Sequence, residues 1–127
     1  MAGKIIADQI EHSTAGSLDT QYVVNGSAKH WINMDAGQTI NGSINTSSIV
    51  DNTTADHAVN LANALSDIHY AVTGSNIGSV SGSDSGESLV SSGDIHTTTK
   101  YEFRTRHNSG TYYDNGVNQL HLSGDLA

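Results

Sequence analysis

The chain has 127 residues, a length that fits one domain with a modest core. Its apolar fraction is 35%, proline and cysteine are absent, and Gly, Ser, Thr, Asn and Asp abound; this suits a turn-rich all-β chain and excludes disulfides and thiolate metal sites. The formal charge is −8 with only five Lys plus Arg, which argues against nucleic acid and against an anionic membrane surface, because both need clustered cations.

Met1-Ala2-Gly3-Lys4 is followed by only Ile5-Ile6-Ala7 before Asp8, too short for an apolar export core, and no stretch approaches the length of a membrane span. The expectation is a protein made in a cytoplasm and soluble there until it assembles. Residues 1–20 read as an extended N-terminal arm and connector. Ile5, Ile6 and Ile10 are its apolar residues, and Glu11 to Thr20 is rich in Ser, Thr, Gly and Asp. An arm ahead of a compact β domain is a common way to reach a neighbouring subunit, which makes Ile5, Ile6 and Ile10 candidate subunit contacts.

Residues 21–127 read as an antiparallel β-sandwich, jelly-roll-like. Tyr22-Val23-Val24 is β-branched and aromatic, Asn25-Gly26 supplies residues that tolerate the positive φ of a hairpin turn, and Ala28 to Met34 alternates, so Gln21 to Met34 predicts strand, tight turn, strand. His30, Ile32 and Met34 fall on one face; Lys29, Trp31 and Asn33 fall on the other. Trp31 is the single tryptophan, and a large aromatic on a polar face is where a second surface packs. Lys29 and Trp31 are therefore candidate partner contacts.

Asp35-Ala36-Gly37 and Asn41-Gly42 both read as turns. Ile44 to Val50 predicts a strand, Asp51 to Asp56 a turn, and His57, Val59 and Leu61 one side of the next strand. Leu61 to Leu65 fits a single helical turn. Ile68 to Thr73 predicts a strand with Ile68, Tyr70 and Val72 inward. Residues 74–93 form a Gly/Ser tract whose composition cannot pack a core, read as a surface loop with room for one short β pair. Thr97 to His107 is the cleanest strand, with Thr99, Tyr101, Phe103 and Thr105 on one face and Lys100, Glu102, Arg104 and Arg106 on the other. The basic residues Arg104 and Arg106 of that charged face are candidate contacts for an acidic neighbour in an assembly. Tyr112-Tyr113 starts a further short strand, and Val117 to Leu122 is the last. About seven strands at this spacing make a sandwich.

Seven histidines invite a metal hypothesis. Asp67-Ile68-His69 and Asp94-Ile95-His96 each place a carboxylate and an imidazole on one face of a strand, but two ligands fall short of the three or four a site needs. His57 lies on an apolar face, where a half-buried histidine bonded to backbone is the ordinary case. No nucleophile elbow, carboxylate pair or phosphate loop is present: Gly78-Ser79-Val80-Ser81-Gly82 has Val80 where a G-x-S-x-G motif needs serine. The expectation is no enzyme, no metal and no cofactor. The Asn/Ser/Thr-rich loops suit hydrogen bonding to glycans, with Tyr112, Tyr113 or Trp31 as stacking platforms.

The segment GKIIADQIEHSTAGSLDTQYVVNGSAKHW resembles the repeated core motif of small virion proteins of tailed phages, marine and cyanobacterial phages in particular, which occur as short tail-fibre-like proteins or fibre C-terminal modules. The resemblance continues weakly in INTSSIVDNTTADHAVNL and returns in the closing SGDLA, the three segments together making up about two fifths of the chain. The chain departs from that pattern at His30, where relatives carry a small apolar residue, at Met34, where they carry an aromatic, and at Asn52-Thr53-Thr54-Ala55, where they have a Gly-rich turn. The resemblance implies a β-sandwich on the particle exterior, homotrimeric, in contact with the major capsid protein or tail proteins. Two placements follow: a capsid decoration or cement protein, favoured because the chain has no long shaft-forming segment, and a short tail fibre or adhesin binding host surface glycans. A histidine-based metal-dependent enzyme is the competing reading from another class.

Overall fold

Period-two alternation requires each strand to hide one face, and the two best-alternating stretches become central strands of two separate sheets in the computed structural model of the protein, which describes residues 3, 6–14, 16–77, 88–106, 112, 114 and 116–127. The element order is β1 (Gln9–His12), β2 (Gly16–Asp19), α1 (Thr20–Gly26), β3 (Ala28–Asp35), β4 (Ile40–Ile44), β5 (Thr46–Thr53), β6 (Asp56–Leu61), β7 (Ala71–Ile77), β8 (Ser88–His96), β9 (Lys100–Arg106) and β10 (Val117–Ser123). One sheet runs β4-β3-β10-β7 and the other β5-β6-β9-β8; β1 and β2 pair only with each other. Every pairing is antiparallel. The fold is therefore the all-β sandwich that the turn-rich composition predicts, with eight strands among the described residues divided four and four, and β3-β4, β5-β6 and β8-β9 kept as local hairpins.

The core lies between the inner faces. Ile32 and Met34 from β3 and Leu120 and Leu122 from β10 meet Val59 and Leu61 from β6 and Tyr101 and Phe103 from β9, while Leu65 and Tyr70 of the β6–β7 connection close one end. Tyr70 donates its hydroxyl proton to the Thr97 carbonyl at 3.0 Å and stacks on His96 with ring centroids 4.9 Å apart. Burial pushes this phenol up to about 12. The closing residues seal the same end: the Ser66 amide donates to the Asp125 carbonyl, and Leu65 bridges Leu126. A Cβ on Gly124 would stand 2.8 Å from the Tyr70 Cβ, so only glycine lets the chain pass there.

A polar link crosses the core at His30. His30 is fully buried, with its Nε2 2.9 Å from Thr46 Oγ1 and its Nδ1 3.4 Å from the Tyr101 hydroxyl, its ring edge-on to the Tyr101 ring. Satisfaction from two sides is what makes an imidazole tolerable there.

Local sequence was overridden at several places. Tyr22-Val23-Val24 is not a strand, and Asn25-Gly26 is not a hairpin turn; both belong to α1. The stretch is tied at its start by the Thr20 hydroxyl and amide on the Ala7 and Asp8 carbonyls, and at its end by Ser27 and the Lys29 ammonium on the carbonyls of Val23 and Val24. Such capping outweighs a three-residue β preference. Asn41-Gly42 lies inside β4, the turn being Asp35 to Thr39, where Gln38 takes φ +61. Leu61 to Leu65 forms no helical turn. The strand expected at Ile68 to Thr73 starts only at Ala71, as β7, and leaves Ile68 exposed instead of inward; β7 runs to Ile77 and β8 begins at Ser88, so the 74–93 loop shrinks from both ends; residues 78–87 lie outside the described residues. Both β7 and β8 are edge strands, held by one backbone ladder each, which needs no apolar side chains.

The strand expected at Ile44 to Val50 is broken by Asn45, at φ +59, which carries the chain from β4 in one sheet to β5 in the other. Its Oδ1 accepts from the Asn63 amide at 2.6 Å and its Nδ2 donates to the Asn63 carbonyl at 3.2 Å. Asn45→Ala loses both the bonds and the residue type that tolerates this φ, and is expected to destabilise by about 2–3 kcal/mol, while Asn45→Gly costs about 1 kcal/mol less; urea unfolding of the three proteins checks the order. A second expectation comes from His30. Burial, reinforced by the neighbouring His121, holds its imidazole down at about 4 from the usual 6.5. The unfolded chain takes up this proton near pH 6.5 and the folded chain near pH 4, so stability is full above that window and falls through it, by up to roughly 3 kcal/mol. Urea midpoints measured from pH 7.5 to 4 should show the decline, and His30→Asn should flatten it.

Candidate functional site

Two outer sheet faces and the N-terminal arm carry the residues singled out from sequence. On the β4-β3-β10-β7 sheet, register builds a grid. Trp31, His121 and Thr73 face one another across β3, β10 and β7, and Asn33, Gln119 and Ser75 form the row beside them. Together they line a shallow groove of about 510 Å³, and among the described residues no Asp, Glu, Lys or Arg lines it. Trp31 is 37% exposed there, opposite Ile44 of β4, itself exposed. Gly42 explains how the indole sits: a Cβ at that position would lie 3.0 Å from Trp31 Cη2 and 3.3 Å from Cζ3, so the ring spreads over bare backbone of the neighbouring strand. Oxygens on the second row are already engaged: Asn33 Oδ1 accepts from Asn41 Nδ2 at 3.2 Å, and Gln119 Oε1 accepts from Ser75 Oγ at 3.4 Å.

Lys29, placed by alternation on the Trp31 face, is turned away from it. It is buried, and its ammonium donates to the Val24 carbonyl at the end of α1 and to Ser27 Oγ at 2.9 Å. A cation at a helix C-terminus is favoured by the dipole as well as by the open carbonyls.

The outer face of the other sheet is a charge network. Asp56 lies opposite Arg104 and Ala58 opposite Glu102. Arg104 Nε donates to Asp56 Oδ2 at 2.7 Å, and Asn52 Nδ2 reaches both Asp56 Oδ1 at 3.1 Å and Glu102 Oε1 at 3.2 Å; the Lys100 ammonium stands 3.9 Å from Glu102. Burial pushes the Asp56 carboxyl up, but the hydrogen bonds from Arg104 and Asn52 outweigh it and hold it below its usual value. Arg104 is thus engaged within its own chain, whereas Arg106 is exposed at the end of β9, bridged to Tyr112. Tyr112 is exposed and, with Thr53, Thr54, Asp56 and Arg104, lines a second small depression of about 290 Å³. Tyr113 and Ile5 lie outside the described residues.

The arm is where sequence reading saw least. Ile6 is 82% exposed and Ile10 54%, the latter paired across the β1-β2 hairpin with Leu18, also exposed. Among the described residues of α1 none is buried, and Tyr22, Val23 and Val24 are all exposed. Leu18, Tyr22, Val23 and Val24 join the candidate contacts; their signal was an apolar cluster that a strand reading had assigned to the sheet.

In the first Asp-Ile-His triplet the His69 amide donates to Asp67 Oδ1 at 2.7 Å, closing a local turn; in the second, His96 stacks on Tyr70, and the side chain of Asp94 lies outside the described residues. Among the described residues no three His, Asp or Glu side chains converge as metal ligands.

Comparison with protein-family models, with curated proteins and with solved structures found no match.

Two substitutions test these surfaces. Gly42→Ala should push the indole off β4 and cost about 1–2 kcal/mol, with a changed Trp31 emission spectrum as its signature. Arg104→Ala leaves Asp56 nearly buried and without its cation; thermal unfolding at pH 7 should show a loss of about 1–3 kcal/mol, shrinking as the pH falls toward the carboxylate range.

Proposed function

We propose that this chain is a non-enzymatic structural protein of the exterior of a tailed-phage virion, a homotrimeric capsid decoration or cement protein. The observation that carries the self-associating part of this reading is the arm. The β1-β2 hairpin and the seven-residue α1 carry large apolar side chains that are open to solvent, as is Ile6 ahead of them. A lone two-stranded hairpin is marginal in water, and a helix of this length does not persist without tertiary packing. A surface of Ile6, Ile10, Leu18, Tyr22, Val23 and Val24 acquires its stability by packing on a neighbouring molecule. The trimer and the virion come from the resemblance of residues 3–31, 44–61 and 123–127 to phage virion proteins.

A second reading, a short tail fibre or adhesin that binds host surface glycans, is supported by one specific feature, the uncharged face around Trp31. The two placements differ in copy number. Quantitative mass spectrometry of purified particles should find this chain near stoichiometry with the major capsid protein; an abundance matching tail proteins would move it to the tail.

Self-association has its own test. Sedimentation equilibrium of the intact chain is expected to return a trimer of the 13.3 kDa subunit. Ile10→Asp combined with Val24→Asp should weaken assembly by about tenfold or more, since a carboxylate in an apolar interface is costly. A monodisperse monomer over a wide concentration range would sink the trimer.

A further inference from the structure

We propose that the groove on the outer face of the β4-β3-β10-β7 sheet is a binding site for an uncharged saccharide, with Trp31 as the stacking platform and Asn33, Gln119, Thr73, Ser75 and His121 as the polar contacts. The inference rests on the surface-recognition reading and is independent of whether the arm trimerises the chain.

Three features of the groove converge on this ligand class. The first is its chemistry. A pyranose ring presents an apolar C–H face and a rim of hydroxyls, and the groove presents an aromatic face beside a rim of amides and hydroxyls. With Asn33 Oδ1 held by Asn41 and Gln119 Oε1 held by Ser75, the amides are oriented to offer their NH₂ groups as donors, while the Thr73 and Ser75 hydroxyls can accept. The second is charge. No Asp, Glu, Lys or Arg lines the groove among the described residues, so no permanent charge recruits a phosphate or a carboxylate, His121 being the one titratable group there, and a neutral ligand leaves no buried charge behind.

The third is preorganisation and size. The indole is spread over Gly42 before any ligand arrives, and the polar side chains stand on paired strands instead of loops, so binding orders little. At about 510 Å³ the groove has the dimensions of a small-molecule site.

Trp31 is the single tryptophan, so its emission reports on this site alone. The intact protein would be titrated with maltotriose, cellotriose and tri-N-acetylchitotriose, with sialyllactose as an anionic comparison, and screened as a full-length chain on a glycan array. The expected result is a saturable change in emission with at least one neutral glycan and weaker response to the anionic one. Gln119→Ala and Trp31→Phe should each weaken binding on the array roughly tenfold or less, and Trp31→Ala roughly tenfold or more, with unchanged far-ultraviolet circular dichroism. Gln119→Ala, at an exposed position, keeps the test open should a Trp31 variant fold poorly. Absence of any saturable response and of any array signal would overturn the proposal. So would an emission shift that depends on protein concentration alone, which would make the face a contact between copies. A monomeric protein that still binds glycan would leave this site standing and remove the trimer.

Discussion

The fold depends on one apolar contact, the meeting of Tyr101 and Phe103 from one sheet with Ile32, Met34, Leu120 and Leu122 from the other. Among the described residues, ten buried apolar side chains form this cluster. That is a small core for the chain, and it leaves little to hold any element outside the sandwich. Every peripheral feature follows from the shortage. The edge strands β7 and β8 are held by single ladders, the C-terminus is folded back to close the Tyr70 end, and the hairpin and helix of the arm have no core of their own.

With so little apolar surface available, polar groups take structural tasks that apolar ones perform elsewhere. His30 joins the sheets through Thr46 and Tyr101. Asn45 turns the corner between sheets and clamps Asn63. Asn52 and Arg104 hold Asp56 and Glu102 on a face that is charged yet mostly shielded from water. These bonds are specific where hydrophobic burial is not, and they make the sandwich sensitive to pH and to single polar substitutions. They also consume charges, so the β9 face offers an outside partner less than its sequence promises.

The surfaces then divide by chemistry. The arm is apolar and open, which fits a neighbouring subunit. The Trp31 face is uncharged, rigid and narrow, which fits a small polar ligand. A particle-surface protein could use both at once, gripping its neighbours at one end and presenting a groove on one side, so the decoration and adhesin readings differ in placement more than in the physics of the molecule.

Composition and period-two alternation determined the sandwich by themselves. The inward faces of β3, β9 and β10 are readable residue by residue, because alternation is a local consequence of the pleat; Lys29 and Glu102, on the opposite faces, are buried as well, through polar contacts that alternation does not announce. Trp31 was legible as an exposed aromatic for the same reason. What the tertiary structure decided was everything that depends on a distant partner. Tyr22 to Gly26 became helix because Lys29 and Ser27 cap it, and the Gly74 to Gly93 tract yielded strand residues because β10 and β9 supply ladders that propensity cannot foresee. Gly42 lies in a strand because β3 pairs with it at Asn33, and its missing side chain leaves room for the Trp31 ring. Lys29 left the Trp31 face, and Arg104 found Asp56, through contacts made only once the chain had folded. The groove itself is a product of register across three strands, and register is a tertiary fact.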